Sequence, residues 1–304
     1  MPQPEAPSHD TIAMIGLGLM GSRMAAQLTA HGFRLQGYDP DEARMSEFAA
    51  TGGIPATSPA AAVTGCRRAI LSLPDSGVTR RVCLGDDGIA GSNVSPLIIY
   101  DTTTGPPDDA VDVATALAPH GITYCDTTVS GNADIAARGD LVVMMGGPAD
   151  AFTDGIPMFE AIGRSHHHVG DVGAGSRMKL LVNHVLTLHR MALAEALVVA
   201  ELAGLDLDAT LGVLKDGLAY SRAMDAWGDR MIAGDHELPA SRLRQGSKDA
   251  RLIVEHGRSV GAPTDLVEVV AAALAEGEGS GLSDYDNSAI VEVVRRRAGI
   301  GRVG

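Results

Sequence analysis

The chain has 304 residues, 45% of them hydrophobic and 20% charged, enough apolar material for two globular domains. Its formal charge of -14, with only one tryptophan, five tyrosines and four phenylalanines, argues against nucleic acid or an anionic membrane as partner. Both need clustered Lys and Arg, and bases also need stacking rings. Cys66, Cys83 and Cys125 lack C-x-x-C spacing, which speaks against a disulfide framework and a zinc site and for a reducing compartment.

Residues Met1 to Asp10 are polar and proline-containing without an apolar core, so they read as a loose leader and not a signal peptide. The longest apolar run, Leu180 to Leu202, is interrupted by Asn183, His184, His189, Arg190, Glu195 and Glu201, which opposes a membrane span. A cytoplasmic location is expected.

Thr11 to Ile15 is a strand-length apolar run that passes into Gly16-Leu17-Gly18-Leu19-Met20-Gly21 and a helical pattern ending near Gly32. This is G-x-G-x-x-G in strand-turn-helix context, where Gly16 allows the tight turn, Gly18 close approach to a pyrophosphate, and Gly21 helix-strand packing. A second strand, Arg34 to Tyr38, ends at Asp39, eighteen residues after Gly21, where a carboxylate can accept the ribose hydroxyls. It would repel a 2′-phosphate, so NAD is favoured over NADP. Asp39 can also start a turn and cap the following helix.

Further strands are expected at Ala69 to Leu73, Leu97 to Tyr100, Thr123 to Cys125 and Leu141 to Met145. Ligands of open α/β sheets lie beyond the carboxyl ends of the strands, so Leu73, Pro74 and Thr103 are candidate cofactor neighbours, with plain turn chemistry as the other reading. Asp126 to Ala133 reads as a loop in which Ser130, Gly131 and Asn132 could take a carboxylate through a hydroxyl and backbone amides, or form a hairpin-like connection. His166-His167-His168 would alternate faces in a strand and cannot share one ion, so no metal is expected.

Gly170 to Asn183 runs from a glycine-rich turn into a long helix, on which Lys179 and Asn183 are four residues apart and share a face. An amine in a ligand cleft is a candidate proton carrier; the helix pattern alone favours a surface lysine in the first turn of a helix. The expected architecture is an α/β Rossmann-type domain over residues 11–173 and an all-α domain over residues 174–300, joined by a helix at about 176–204. Further helices are expected at Asp208 to Gly217, Ala219 to Gly234, Ser247 to Gly261, Thr264 to Glu276 and Tyr285 to Ala298. Arg295-Arg296-Arg297 suits the C-terminal end of the last helix.

Four stretches in this order, the Gly16 to Gly21 turn, Asp126 to Gly139, Gly173 to Asn183, and Lys248-Asp249, resemble the β-hydroxyacid dehydrogenase family, which includes 3-hydroxyisobutyrate dehydrogenase and tartronate semialdehyde reductase. The resemblance runs from Ile12 to about Arg297. It implies that Ser130 and Gly131 hold the substrate carboxylate, Lys179 carries the proton, Asn183 orients the substrate, and Lys248 lies near the nicotinamide. It also implies assembly as a homodimer or homotetramer. Three positions depart from the family pattern: Asn132 stands where a second glycine is usual, Thr128 where proline is frequent, and Val182 where asparagine is expected.

The resulting expectation is NAD-dependent interconversion of a small 3-hydroxy acid, similar to 3-hydroxyisobutyrate, and its semialdehyde or keto form. Lys179 would act as general acid and base. Rival readings are an imine reductase of the same fold, whose known members generally lack the lysine, and a non-catalytic NAD-responsive binding protein.

Overall fold

The computed structural model describes residues 11–300; the expected leader Met1 to Asp10 lies outside them. The chain divides between Lys179 and Leu180 into two compact units. In the first unit, eight strands form one sheet in the order β3-β2-β1-β4-β5-β6-β7-β8. They are β1 (Thr11–Ile15), β2 (Arg34–Tyr38), β3 (Ile54–Pro55), β4 (Arg68–Leu71), β5 (Leu97–Asp101), β6 (Ile122–Ser130), β7 (Leu141–Gly146) and β8 (Gly163–Gly170). All neighbours run parallel except β6 and β7. The helices of this unit are α1 (Leu19–Ala30), α2 (Glu42–Ala50), α3 (Pro59–Ala62), α4 (Ser76–Leu84), α5 (Pro107–Leu117), α6 (Ala133–Ala137) and α7 (Ala149–Ile162). This is the expected α/β Rossmann-type arrangement.

Period-2 alternation explains why both sheet faces are covered. Ile12, Met14, Ile70 and Tyr100 enter one buried cluster, while Ala13, Ile15, Ala69 and Leu71 enter the other. The register then sets the site, because Ile15 pairs with Tyr38 on one side and Leu71 on the other, and Leu71 pairs with Asp101. The turns after β1, β2, β4 and β5 therefore leave the sheet side by side at its carboxyl edge.

One expectation needs correction here. The stretch from Asp126 to Ser130, read as loop, is the second half of β6. Ile122 to Asp126 pairs parallel with β5, whereas Asp126 to Ser130 pairs antiparallel with β7. The small polar residues give no apolar signal, and the pairing that makes them a strand is non-local. The two-residue edge strand β3 was too short to read. In β8, His166 and His168 face the Phe152 ring and His168 Nε2 bonds the Gly147 carbonyl at 2.7 Å, so these histidines pack the sheet edge.

The long helix α8 spans Ala174–Leu202 and starts at Ala174, earlier than the expected residue 176, so Lys179 sits in its second turn. The second unit continues with α9 (Leu207–Asp216), α10 (Arg222–Ala233), α11 (Leu243–Ser259), α12 (Asp265–Gly279) and α13 (Ile290–Arg297). Leu193, Leu197, Trp227, Leu243, Ile253 and Leu274 are among the residues of its core. Arg295, Arg296 and Arg297 lie in the last turn of α13, as expected; Arg295 among them is 0% exposed and bonds Glu201 at 2.8 Å and Glu292 at 2.7 Å, tying α13 to α8. Helix periodicity located α13 but could not show which of its three arginines faces inward. Among the described residues, no helix is long and apolar enough to cross a membrane.

Candidate active site

At the carboxyl edge of the sheet, Gly16 has φ +91°, and a Cβ there would strike the Ser72 carbonyl; a Cβ on Gly21 would strike the Gly16 carbonyl. Both contacts are with backbone, so the turn tolerates only glycine at these positions. Gly18, the N-cap of α1, supplies no side-chain cap, which leaves the first amides of α1 without a side-chain partner. Such amides, at the positive end of a helix dipole, suit a pyrophosphate.

Asp39 is buried at 6% exposure, and its carboxylate accepts the Leu17 amide at 2.8 Å and the Asp41 amide at 2.9 Å. It thus braces the glycine turn from the neighbouring strand. The helix cap considered for Asp39 belongs instead to Asp41, which accepts the amides of Ala43 and Arg44 at the start of α2. Arg44, a residue that strand and turn patterns gave no reason to select, ion-pairs with Asp39 at 3.3 Å and is 44% exposed. Its Nη1 lies 3.8 Å from where a Cβ on Gly18 would be.

The next two turns are also joined. The Leu73 amide donates to Thr103 Oγ1 at 3.1 Å, and the Thr103 amide donates to Asp101 Oδ1 at 2.9 Å, with Pro74 next in the same turn. Burial pushes the Asp101 carboxyl up, while bonds from Thr103, Tyr124 and Thr79 pull it down. The sheet therefore brings Gly16 to Gly21, Asp39, Leu73, Pro74 and Thr103 to one edge.

At β6 the geometry turns to the amine. Lys179 is only 9% exposed, and its Nζ donates to the Val129 carbonyl at 2.7 Å, one residue before Ser130. It is not a surface lysine. The start of α8 is fixed to the same strand: Asp126 accepts the Gly173 amide at 2.8 Å and the Ser176 amide at 2.6 Å, and Thr128 Oγ1 donates to the Gly175 carbonyl at 2.8 Å. A Cβ on Gly175 would collide with the Asp126 carbonyl, so only glycine lets α8 come this close. Burial pushes the Asp126 carboxyl up, against the pull of the Ser176 and Gly173 amides.

Gly131, at φ +143°, has Leu141 and Ile135 side-chain atoms 2.6 and 2.9 Å from where its Cβ would stand. Asn132 caps α6, its Oδ1 accepting the Ile135 amide at 3.0 Å, so its side chain is held by the backbone. In the second unit, Asn183 is 6% exposed and its Nδ2 donates to Asp249 Oδ2 at 2.8 Å, while Lys248 Nζ lies 3.5 Å from Asp249 Oδ1.

Residues 11–170 match the family described as the NAD-binding domain of 6-phosphogluconate dehydrogenase, and residues 173–294 match that described as the NAD-binding domain of NADP-dependent 3-hydroxyisobutyrate dehydrogenase. Over 261 residues the chain is 32% identical to a 3-hydroxyisobutyrate dehydrogenase of Pseudomonas aeruginosa, covering 84% of this chain and 88% of that protein. The chain belongs to the β-hydroxyacid dehydrogenase family. It is also 28% identical over 289 residues to the 2-(hydroxymethyl)glutarate dehydrogenase of Eubacterium barkeri, covering 95% of this chain and 96% of that protein. A crystal structure of 3-hydroxyisobutyrate dehydrogenase from Salmonella typhimurium superposes with a TM-score of 0.86 at 25% identity, over 93% of this chain and 99% of that one.

The protein is accordingly an NAD(P)-dependent dehydrogenase acting on the hydroxyl groups of hydroxy acids. The glycine turn, the uncapped start of α1 and the Thr103-Leu73 bond fit a dinucleotide cofactor. Sequence reasoning gave no reason to select Arg44, Asp126 or the Val129 carbonyl, which contact Asp39, the start of α8 and the Lys179 amine. Asp126 was named only as the start of a loop, since its partners lie 47 and 50 residues away.

Proposed function

We propose that the protein interconverts a small 3-hydroxy acid, similar to 3-hydroxyisobutyrate, and its semialdehyde or keto form, with NAD and with Lys179 as the proton carrier. The observation that carries this reading is the buried Lys179 amine bonded to the Val129 carbonyl beside Ser130. A bound nicotinamide supplies the hydride acceptor or donor. As the carbinol carbon is oxidised, Lys179 Nζ takes the hydroxyl proton; in reduction it returns that proton to the oxygen. Taking the proton requires the amine to be neutral when the hydroxyl is oxidised.

Ser130 and the amides of Gly131 and Asn132 hold the substrate carboxylate, as the family resemblance implies. With its side chain engaged at the α6 cap, Asn132 contributes through its backbone. Asn183 orients the reacting oxygen, and its bond to Asp249 sets the direction in which that amide faces. The presence of Lys179, Asn183 and Ser130 together supports hydroxy-acid chemistry over imine reduction or cofactor sensing alone.

Arg44 supports a second reading of the cofactor. A guanidinium 3.3 Å from Asp39 can turn to a 2′-phosphate and offset the carboxylate, which would admit NADP beside NAD. The test is a screen of small hydroxy acids with each cofactor, following absorbance of the reduced nicotinamide, on wild type and Lys179→Ala. The expected result is activity with NAD that Lys179→Ala lowers by about 10²- to 10⁴-fold while NADH still binds. Full turnover in that variant refutes the role of Lys179. Activity with NADP alone refutes the cofactor reading.

A further inference from the structure

Thr128 has no exposed surface, and its hydroxyl ends against the start of α8. Thr128 Oγ1 donates to the Gly175 carbonyl at 2.8 Å. The carbonyl of Met144, its partner on β7, stands 3.3 Å from the same oxygen, so the single hydroxyl proton serves the nearer acceptor. Gly175 comes four residues before Lys179, and in the α-helical pattern its carbonyl also accepts the Lys179 backbone amide. A carbonyl oxygen has two lone pairs and can take both donors. The hydroxyl therefore reaches the hydrogen bond that closes the turn bearing the amine.

The next residue of the strand holds the other end of the same lysine, because the Val129 carbonyl accepts Nζ at 2.7 Å. Ser130 follows, half-buried. A lysine stem is flexible, so an amine tethered only at Nζ keeps whatever freedom the helix turn beneath it has. Asp126 limits that freedom through the amides of Gly173 and Ser176, and Thr128 acts on a carbonyl between them. Residues 175 and 176 stand about 100° apart around the helix axis, so holding both opposes rotation of α8 as well as translation. Gly175 also lies against the sheet: a Cβ there would meet the Gly146 amide and the Met144 carbonyl at 2.9 and 3.0 Å.

We propose that Thr128 is a positioning residue for the proton carrier: its hydroxyl fixes the turn of α8 from which Lys179 extends. Residues 128, 129 and 130 of one strand then hold, in sequence, the turn beneath Lys179, its amine and the carboxylate of the substrate. The spacing between proton carrier and substrate is thereby set within β6. This inference rests on the proposed role of Lys179. It belongs to this chain, since the proline frequent at that position in the family carries no hydroxyl.

The chain has three lysines, Lys179, Lys215 and Lys248, so lysine labelled with carbon-13 at Cε gives three resonances in the full-length protein, and Lys179→Ala assigns one of them. Thr128→Val replaces the hydroxyl by a methyl of similar size, whereas Thr128→Ser keeps the hydroxyl and drops the methyl. The expected result is a Lys179 resonance that moves in Thr128→Val and returns near its wild-type position in Thr128→Ser, with that of Lys215 unmoved in both. An unmoved Lys179 resonance in Thr128→Val, or one displaced equally in Thr128→Ser, overturns the proposal. If Thr128→Val does not fold, Thr128→Ala set against Thr128→Ser makes the same comparison, since those two differ by the hydroxyl alone.

In turnover with NAD and 3-hydroxyisobutyrate, at a temperature where circular dichroism shows every variant folded, Thr128→Val is expected to lower kcat about 10- to 100-fold. KM for NAD stays unchanged, and Thr128→Ser recovers most of the rate. A wild-type kcat in Thr128→Val while Lys179→Ala is impaired overturns the proposal, as does a rise in KM for NAD that matches the fall in kcat. A Lys179 resonance that follows the hydroxyl in a protein whose Lys179→Ala variant keeps full turnover would instead refute the proton-carrier reading while supporting the hold of Thr128 on Lys179.

Discussion

Replacing Asp126 with alanine removes both acceptors that fix the start of α8. The Gly173 and Ser176 amides, bonded at 2.8 and 2.6 Å, are then left buried against an apolar methyl. Each unsatisfied buried donor costs about 1–3 kcal/mol, so the pair sets a loss of about 2–6 kcal/mol, the lower end applying if water enters. The effect extends beyond stability, because Lys179 lies three residues past Ser176 on the same helix and its amine is held at 2.7 Å from the Val129 carbonyl. A displacement of about 1 Å at a reacting group can cost about 10²-fold in rate. Urea unfolding followed by circular dichroism reads the first quantity. Turnover at a temperature where the variant is fully folded reads the second. A stability change under about 0.5 kcal/mol together with unchanged kcat would refute the idea that Asp126 positions the amine.

Three other variants test separate parts of the account. Gly175→Ala places a Cβ into the Asp126 carbonyl and within 3.0 Å of backbone atoms of Gly146 and Met144, so it is expected to lower stability by about 3 kcal/mol, read as a drop in Tm; an unchanged Tm would show that α8 can give way there. Arg44→Ala is expected to raise KM for NADP about tenfold or more and leave KM for NAD nearly unchanged, measured by steady-state kinetics with each cofactor; equal effects on both would remove Arg44 from cofactor discrimination. His236, with its Nε2 3.5 Å from Glu292 Oε1, and then the hydrogen bond from Arg295 hold the Glu292 carboxyl at about 2, below its ordinary 4.5. A depressed carboxyl contributes its full stability above the unfolded value and loses it as pH falls from about 4.5 toward about 2, so Glu292→Gln is expected to flatten the acid limb of a Tm-against-pH curve. An unchanged limb would refute the pairing.

What could be read from the chain was what short-range chemistry dictates. The Gly16 to Gly21 turn follows an apolar strand and precedes a helix within a few residues, and the β1-α1-β2 unit reproduces that reading. The long helix was visible because its apolar positions repeat at helical spacing, although its true start at Ala174 depends on Asp126, 47 residues before Gly173. The second half of β6 was unreadable for a related reason: Thr127, Thr128 and Ser130 become strand by pairing with β7, not by their own propensity. Asn132 was legible in principle, since an asparagine before Ala133-Asp134-Ile135 is an N-cap signal, but the family comparison drew attention to a missing glycine instead.

Burial of charge was the least legible feature. Lysine and arginine are rarely buried, so Lys179, Arg190 and Arg295 would each pass for surface residues on composition alone. Their partners Val129, Trp227 and Glu201 lie 50, 37 and 94 residues away, and only the folded chain brings them together.

The most direct test of the central claim is chemical rescue of Lys179→Ala by small primary amines. If Lys179 moves the proton, kcat of the variant should rise with amine concentration and, across a series of amines of similar size, with amine basicity in the direction of hydroxy-acid oxidation. A variant that binds NADH and hydroxy acid but gains no rate from any amine, or that needs none, would contradict it.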